Sequence, residues 1–190
     1  MGVLILGLVL FLGVHSVAIV SSGLRERALA QIGDGAWKGL YSAVSVVGFA
    51  LIIYGYGLAR QAPLVLYSPP VWLRHVALLL MLPVFPLALA AYLPGRIKTA
   101  TKHPLLAAVK FWALAHLLAN GLLADVLLFG GFLVWAVGNR ISLKRRPPPA
   151  LRTAPPGRWN DAIAVVLGLA IYVLVIGWAH VRLFGVSPLR

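Results

Sequence analysis

The stretch HPLLAAVKFWALAHLLANG, residues His103–Gly121, decides how the chain is interpreted. It is apolar enough to lie in a bilayer, yet Lys110, His116 and Asn120 interrupt its apolar run. A polar side chain in hydrocarbon costs free energy, so such residues usually face a cavity, a partner or a bound group. Trp112, His116 and Asn120 are spaced four apart and therefore share one helix face. The pattern predicts a transmembrane helix that holds a histidine as a buried ligand.

The composition of the whole chain is typical of a membrane protein. Of its 190 residues, 61% are hydrophobic and only 11% are charged, which is far less charge than a soluble domain carries. A formal net charge of +13 is compatible with nucleic-acid binding. The basic residues, however, lie between apolar segments, where they orient helices and meet anionic lipid. We therefore predict a single all-α membrane domain over residues 1–190 that contacts the lipid bilayer and binds no nucleic acid.

Apolar runs of about 20 residues, long enough to cross a bilayer, recur along the chain. The six predicted spans cover residues 2–22, 37–59, 70–92, 104–121, 122–141 and 159–184, and a basic, proline-rich cytoplasmic loop covers residues 142–158. In the second span, Gly48, Gly55 and Gly57 are expected to let helices approach closely. In the third, Pro83 and Pro86 are expected to kink the helix. The chain is thus predicted to be a bundle of six transmembrane helices.

The basic residues also predict the orientation of this bundle. With the N-terminus outside, twelve Lys and Arg residues fall on the inner side of the membrane, and Lys110 lies within a span. Only Arg60, Arg74, Arg182 and Arg190 then fall outside. Cytoplasmic loops carry the excess of Lys and Arg in membrane proteins. We therefore predict that the N-terminus and the C-terminus both lie outside.

Missing residue types exclude several kinds of chemistry. The chain has no cysteine, which excludes disulfides, iron–sulfur clusters and covalent haem attachment. It has only four acidic residues, too few for a pair of catalytic carboxylates to be expected deep in the membrane. No glycine-rich phosphate loop, metalloprotease helix or serine with a nearby base is found. A metal or cofactor would therefore depend on His, Asp, Glu or backbone groups.

The histidines are the main candidate ligands. His15 and His116 lie nearest the middle of their spans, although their depths differ by about 9 Å at 1.5 Å per residue. His75 and His180 both lie near the outer boundary and match better in depth. Neutral imidazole is a common axial ligand of haem iron, and helical bundles often hold cofactors between facing helices. From the residues alone, either pair is a candidate, as is an arrangement in which each histidine only bonds a neighbouring helix.

Three further residues of the central helix belong to the candidate cofactor site. Trp112 and Asn120 share the helix face of His116. Lys110 lies about 120° around the helix from His116 at 100° per residue. Its default role is to reach the lipid headgroups, and the alternative is to pair with a haem propionate.

Several stretches carry a resemblance to a known family. They are GVHS (Gly13–Ser16), KGLYS (Lys38–Ser42), YGYGLAR (Tyr54–Arg60), PPVWLRH (Pro69–His75) and the central His103–Gly121 stretch with LLFGGFLVWAV after it. With these motifs the chain resembles the NnrU family of bacterial membrane proteins. The resemblance implies a protein of the bacterial inner membrane that is linked to nitrogen-oxide metabolism in denitrifying bacteria. It also implies a relation to the 15-cis-zeta-carotene isomerases of plants and cyanobacteria, which carry haem b in the membrane.

The resemblance further implies which histidines bind. In the isomerases the ligands lie in a His-Ser motif of an early span and an Ala-His motif of a later one, and these fall on His15 and His116. The isomerases have a cysteine three residues before the second histidine, where this sequence has Ala113. A thiol-dependent ligand switch therefore cannot operate here.

Together these observations predict a membrane protein that binds haem b and supports nitrogen-oxide redox metabolism. Its expected partner is a nitrogen-oxide reductase or an electron-transfer protein. One alternative is a haem-dependent cis–trans isomerase of polyenes. A second alternative is a cofactor-free membrane scaffold or assembly partner, in which the histidines only bond neighbouring helices.

Overall fold

The computed structural model describes residues 1–146 and 151–189. The prolines Pro147–Pro149 of the predicted basic loop lie outside these described residues. The described chain is α-helical and has no β-strand, only an isolated antiparallel bridge between Val65 and Leu122. The predicted all-α fold is therefore confirmed. Its helices are α1 (Gly2–Val20), α2 (Ser22–Gln61), α3 (Trp72–Met81), α4 (Val84–Ala90), α5 (Arg96–Thr101), α6 (Pro104–Ala119), α7 (Leu123–Ser142), α8 (Asn160–Leu174) and α9 (His180–Phe184), with a π-helical turn at Val175–Ala179 between the last two.

In the described ranges, five helical segments are long and apolar enough to cross a membrane. They are Gly2–Val20, Gly23–Gln61, Trp72–Ala90, Leu123–Ser142 and Asn160–Phe184. The central helix α6 has 16 residues, or about 24 Å at 1.5 Å per residue, whereas the hydrocarbon core is about 30 Å thick. It ends at Asn120, whose backbone is extended (φ −132°, ψ 136°). Five of the predicted spans thus have the length of a transmembrane helix, and the one built on α6 is shorter than predicted.

Helix α2 extends beyond the predicted second span. The predicted span begins at residue 37, whereas the chain is helical from Ser22. Gly33 alone interrupts the helical geometry, with φ +79° and ψ 163°. Because a positive φ suits glycine and few other residues, Gly33 separates the charged first part of α2 from its apolar second part.

The described residues form two compact units. Unit 1 contains α1, α2 and α7, and α1 packs on both of the others, most extensively on α2. Leu4 near the start of α1 lies against Gly55 near the end of α2, so these helices are antiparallel. The Ser142 hydroxyl at the end of α7 donates a hydrogen bond to the carbonyl of Ile19, 3.4 Å away. Helices α1 and α7 therefore run in the same direction, and both run against α2.

Glycines bring α1 and α2 together. A methyl group at Gly48 would lie 2.8 Å from the backbone nitrogen of Phe11, and one at Gly55 would lie 2.4 Å from that of Leu4. At positions 48 and 55 the backbones of α1 and α2 are too close together for a residue larger than glycine. Small residues bring other membrane helices together in the same way. A methyl group at Gly57 would meet nothing within 4 Å. The predicted close approach is confirmed at Gly48 and Gly55 and wrong at Gly57.

An extended segment after α2 is held against the start of α7. The backbone N–H of Leu66 donates to the carbonyl of Gly121 at 2.8 Å, and that of Leu123 donates to the carbonyl of Leu64 at 2.8 Å. A methyl group at Gly121 would lie 1.8 Å from the carbonyl oxygen of Tyr67. Position 121 therefore requires glycine because the two backbones are in contact there.

Unit 2 contains α3 to α6, α8 and α9. The helix predicted as the third span breaks at Pro83 and restarts at Val84, which confirms the predicted kink. The restart places Pro86 in the first turn of α4, where a missing N–H costs little. Gly168 of α8 lies against Pro86, and the Tyr172 hydroxyl donates to the carbonyl of Leu78 at 3.0 Å. Helix α8 thus covers the broken helix and supplies a donor to its backbone.

Side chains at the start of α8 hold the basic turn before α6. The Asp161 carboxylate accepts hydrogen bonds from the backbone N–H groups of Arg96 (2.7 Å) and Ile97 (3.1 Å). Asn160 is buried, and its amide donates to the carbonyls of Pro94 at 2.8 Å and Pro155 at 3.1 Å. These bonds fix the first turn of α5 and the loop that precedes it.

Candidate cofactor site

His15 lies in unit 1, on the face of α1 that meets α2 and α7. Its ring is stacked on Phe11, with the centroids 4.2 Å apart. Tyr41 of α2 lies 5.1 Å from the His15 ring centroid, and Trp135 of α7 meets it edge-on at 6.2 Å. Phe132 adds a further ring, 5.8 Å from that of Phe11. All three helices of unit 1 therefore contribute an aromatic side chain around this imidazole.

The backbone fixes the orientation of the His15 ring. Its Nδ1 donates a hydrogen bond to the carbonyl of Phe11 at 2.6 Å. In a neutral imidazole with the proton on Nδ1, the lone pair is on Nε2. Nε2 has no hydrogen-bond partner among the residues that the structure describes. A histidine bonded in this way has a metal-binding nitrogen available and a ring held in place.

Trp135 is a second polar group at this position, and we did not identify it from the sequence. Its indole Nε1 is buried and has no hydrogen-bond acceptor in the described part of the chain. Buried donors are nearly always bonded, so such an atom marks a place where an acceptor is expected. In the sequence Trp135 is one tryptophan of six, and only the packing of α7 on α1 distinguishes it.

His116 is placed in unit 2 and has a similar backbone bond. Its Nδ1 donates to the carbonyl of Trp112 at 2.8 Å, and the two rings lie 5.4 Å apart. The Asn120 amide donates to the His116 carbonyl at 2.9 Å. Trp112 and His116 lie on one face of α6, whereas Asn120, predicted to share that face, follows the end of the helix and meets His116 only through its carbonyl. Lys110 lies elsewhere on the helix, is partly exposed and has no ion pair among the described residues.

The alternative histidine pair also lies in unit 2. His75 is an exposed residue of α3. His180 begins α9, and its Nδ1 donates to the carbonyl of Val186 at 2.6 Å. The described residues contain no group of three or more His, Asp or Glu side chains that is arranged to hold a metal ion.

A buried carboxylate lies at the opposite end of unit 1. Asp125, in the first turn of α7, is only 2% exposed. It accepts hydrogen bonds from the Tyr56 hydroxyl at 2.5 Å and from the backbone N–H of Leu122 at 3.0 Å. Burial and the nearby charge of Asp125 raise the pKa of Tyr67, in the adjoining loop, above its usual value of 10.0. The carboxylate joins α2 to α7, and its charge suits a helix N-terminus.

Comparisons with known proteins give one family. The sequence profile described as "NnrU protein" matches residues 3–188, nearly the whole chain. The comparison with curated proteins finds no match. The comparison with solved structures finds none either. Since the profile covers every helix described above, the chain belongs to the NnrU protein family.

Proposed function

We propose that this membrane protein binds haem b and supports nitrogen-oxide redox metabolism in the bacterial inner membrane. His15 is the residue of unit 1 that would hold the haem iron. His116 is the second ligand predicted from the sequence, and it stays part of the proposal. The observation that supports haem binding best is the Nδ1 hydrogen bond of His15 to Phe11, because it leaves Nε2 as the ligating atom in a ring held by the backbone.

The surroundings of His15 are suited to a flat, mostly apolar cofactor. Phe11, Tyr41 and Trp135 supply aromatic surface next to the imidazole, and Phe132 lies beside Phe11. Apolar walls exclude water and help to set the potential of a haem iron. Bound haem supplies one-electron redox chemistry. In this proposal the chain's own residues hold the macrocycle, orient its ligand and keep water away.

The proposal includes the predicted arrangement in the membrane. Helix α6 would be a sixth, short crossing, and both termini would lie outside, as the distribution of Lys and Arg favours. A short hydrophobic helix is accommodated by local thinning of the bilayer or by flanking residues that reach the interface. Lys110, six residues after the start of α6, is long enough to do so.

Absorption spectroscopy of the purified protein tests haem binding. We expect a Soret band in the wild type that is lost or shifted in His15→Ala and in His116→Ala. The band should persist in His180→Ala, a residue of the alternative pair whose Nδ1 also bonds a backbone carbonyl. A wild-type protein that takes up no haem on reconstitution would overturn the proposal and favour a cofactor-free scaffold. Bands lost in His75→Ala and His180→Ala instead would move the ligands to that pair.

Product analysis separates the redox protein from an isomerase. Reduced protein is incubated with a cis-polyene, and the products are resolved by chromatography. We expect no change in double-bond geometry above that seen with free haem. Ala113, which stands where the isomerases have cysteine, is fully buried three residues before His116. Isomerisation that depends on His15 would establish the enzyme alternative.

A further inference from the structure

The unpartnered indole of Trp135 has a fixed place beside His15. The two rings meet edge-on with centroids 6.2 Å apart, and Trp135 Nε1 is buried without an acceptor among the described residues. His15 Nε2 likewise has no partner there. A ligand that satisfies both groups must offer an electron-pair acceptor to Nε2 and a hydrogen-bond acceptor to the indole N–H.

The basic residues near the end of α7 favour one kind of acceptor for the indole N–H. Arg140 follows Trp135 on α7 by five residues, and Lys144, Arg145 and Arg146 come directly after the helix. The acidic residue Asp34 is paired with Lys38 at 2.5 Å. The Arg146 side chain donates to the Asn139 side-chain oxygen at 2.7 Å and to the Ser142 hydroxyl at 2.8 Å. The excess positive charge favours an anionic acceptor over a neutral one.

We propose that the Trp135 indole N–H donates a hydrogen bond to a carboxylate of the ligand that His15 holds. This inference rests on the proposed function, since the ligand with both a metal ion and carboxylates is haem, and the carboxylate is one of its propionates. Trp135 is then a cofactor-binding residue. A hydrogen bond to a charged group is among the stronger ones, and its loss lowers affinity by about tenfold.

Haem and its dimethyl ester separate this hydrogen bond from the rest of the site. The esters keep the iron and the macrocycle but have no ionised carboxylate. The full-length protein in detergent is loaded with either compound, and the rate of transfer to excess apomyoglobin is measured. We expect the wild type to lose haem more slowly than it loses the ester. The rate for the ester divided by the rate for haem should be about tenfold smaller in Trp135→Phe than in the wild type. Trp178→Phe, an exposed tryptophan of unit 2, should leave the ratio unchanged.

The outcomes distinguish this inference from the proposed function. If Trp135→Phe binds haem and keeps the wild-type ratio, the carboxylate contact is wrong and haem binding stands. If the variant slows the loss of both compounds equally, the indole bonds His15 Nε2 directly in the haem-free protein, which also overturns the contact. If the wild type takes up neither compound, the proposed function fails. A propionate bending mode that shifts in the resonance Raman spectrum of Trp135→Phe, but not of Trp178→Phe, would support the contact without reference to affinity.

Discussion

The candidate site depends on single side chains, and only some of them could be identified from the sequence. His15 and His116 stood out because ionisable residues are rare in apolar helices. Trp135 and Asp125 did not. A tryptophan in an apolar run is ordinary, and an aspartate at a helix start has a routine capping role. Only the packing of α7 in unit 1 shows that the Trp135 indole has no acceptor among the described residues and that Asp125 is buried.

At the residue scale, Tyr56→Phe should destabilise the protein. The change leaves the buried Asp125 carboxylate without its 2.5 Å hydroxyl donor, and an unsatisfied buried acceptor costs about 1–3 kcal/mol. Thermal unfolding in detergent, followed by circular dichroism, measures the effect. Tyr54→Phe is the matched control, two residues away on α2 and 63% exposed. Equal melting temperatures for the two variants would show that Asp125 does not depend on Tyr56.

Tyr67 gives a prediction about pH at the same scale. Its pKa is raised by burial and by the charge of Asp125, so the folded protein holds this proton more tightly than the unfolded chain. The contribution of the neutral phenol to stability is complete below the usual pKa and is lost as the pH rises through the folded value. We therefore expect wild type to lose more stability than Tyr67→Phe between neutral and strongly alkaline pH. Parallel melting temperatures across that range would contradict the shift.

For the helices, the sequence predicted close packing at glycines and a break at proline. It did not predict which glycines face another helix or where α6 ends. Gly48, Gly55 and Gly57 look alike in the pattern, but only the first two face α1, because position 57 is on a different side of α2. The break at Pro83 follows from its missing N–H. The end of α6 at Ala119 was missed, since a single polar residue at position 120 gives no sign that its backbone is extended.

The contact of α1 with α2 gives a paired test. Gly55→Ala would place a methyl group 2.4 Å from the Leu4 backbone and force the helices apart, whereas Gly57→Ala adds one in open space. We expect Gly55→Ala to lower the free energy of unfolding by about 1–3 kcal/mol, as overpacked sites do. Gly57→Ala should be neutral or slightly stabilising, because alanine favours helix. Similar denaturation midpoints for the two variants would contradict the packing.

At the scale of the whole molecule, composition was enough to predict an all-α membrane protein. The grouping of α1 with α2 and α7 in one unit was not predicted. Hydropathy reports that a helix avoids water, and it does not distinguish burial in lipid from burial against another helix. The backbone contact between Gly121 and Tyr67 likewise could not be predicted, because the two residues are far apart in the sequence and nothing in the hydropathy pattern links them.

The predicted orientation can be tested on the same scale, because the chain has no cysteine. Ser68→Cys and Thr153→Cys each place one thiol at an exposed position, in loops predicted to lie outside and inside respectively. A membrane-impermeant maleimide added to intact spheroplasts should label Ser68→Cys alone. Thr153→Cys should react only after permeabilisation. The reverse pattern would show that the distribution of Lys and Arg does not set the orientation.

Replacing the His15 side chain by a free ligand tests most directly whether Nε2 of this residue ligates a haem iron. His15→Gly removes the imidazole and leaves space for an added one. We expect the purified variant to have an altered haem spectrum, and we expect added imidazole, but not a similar concentration of pyrrole, to restore the wild-type spectrum. A His15→Gly protein whose haem spectrum and haem content equal those of the wild type without imidazole would contradict it.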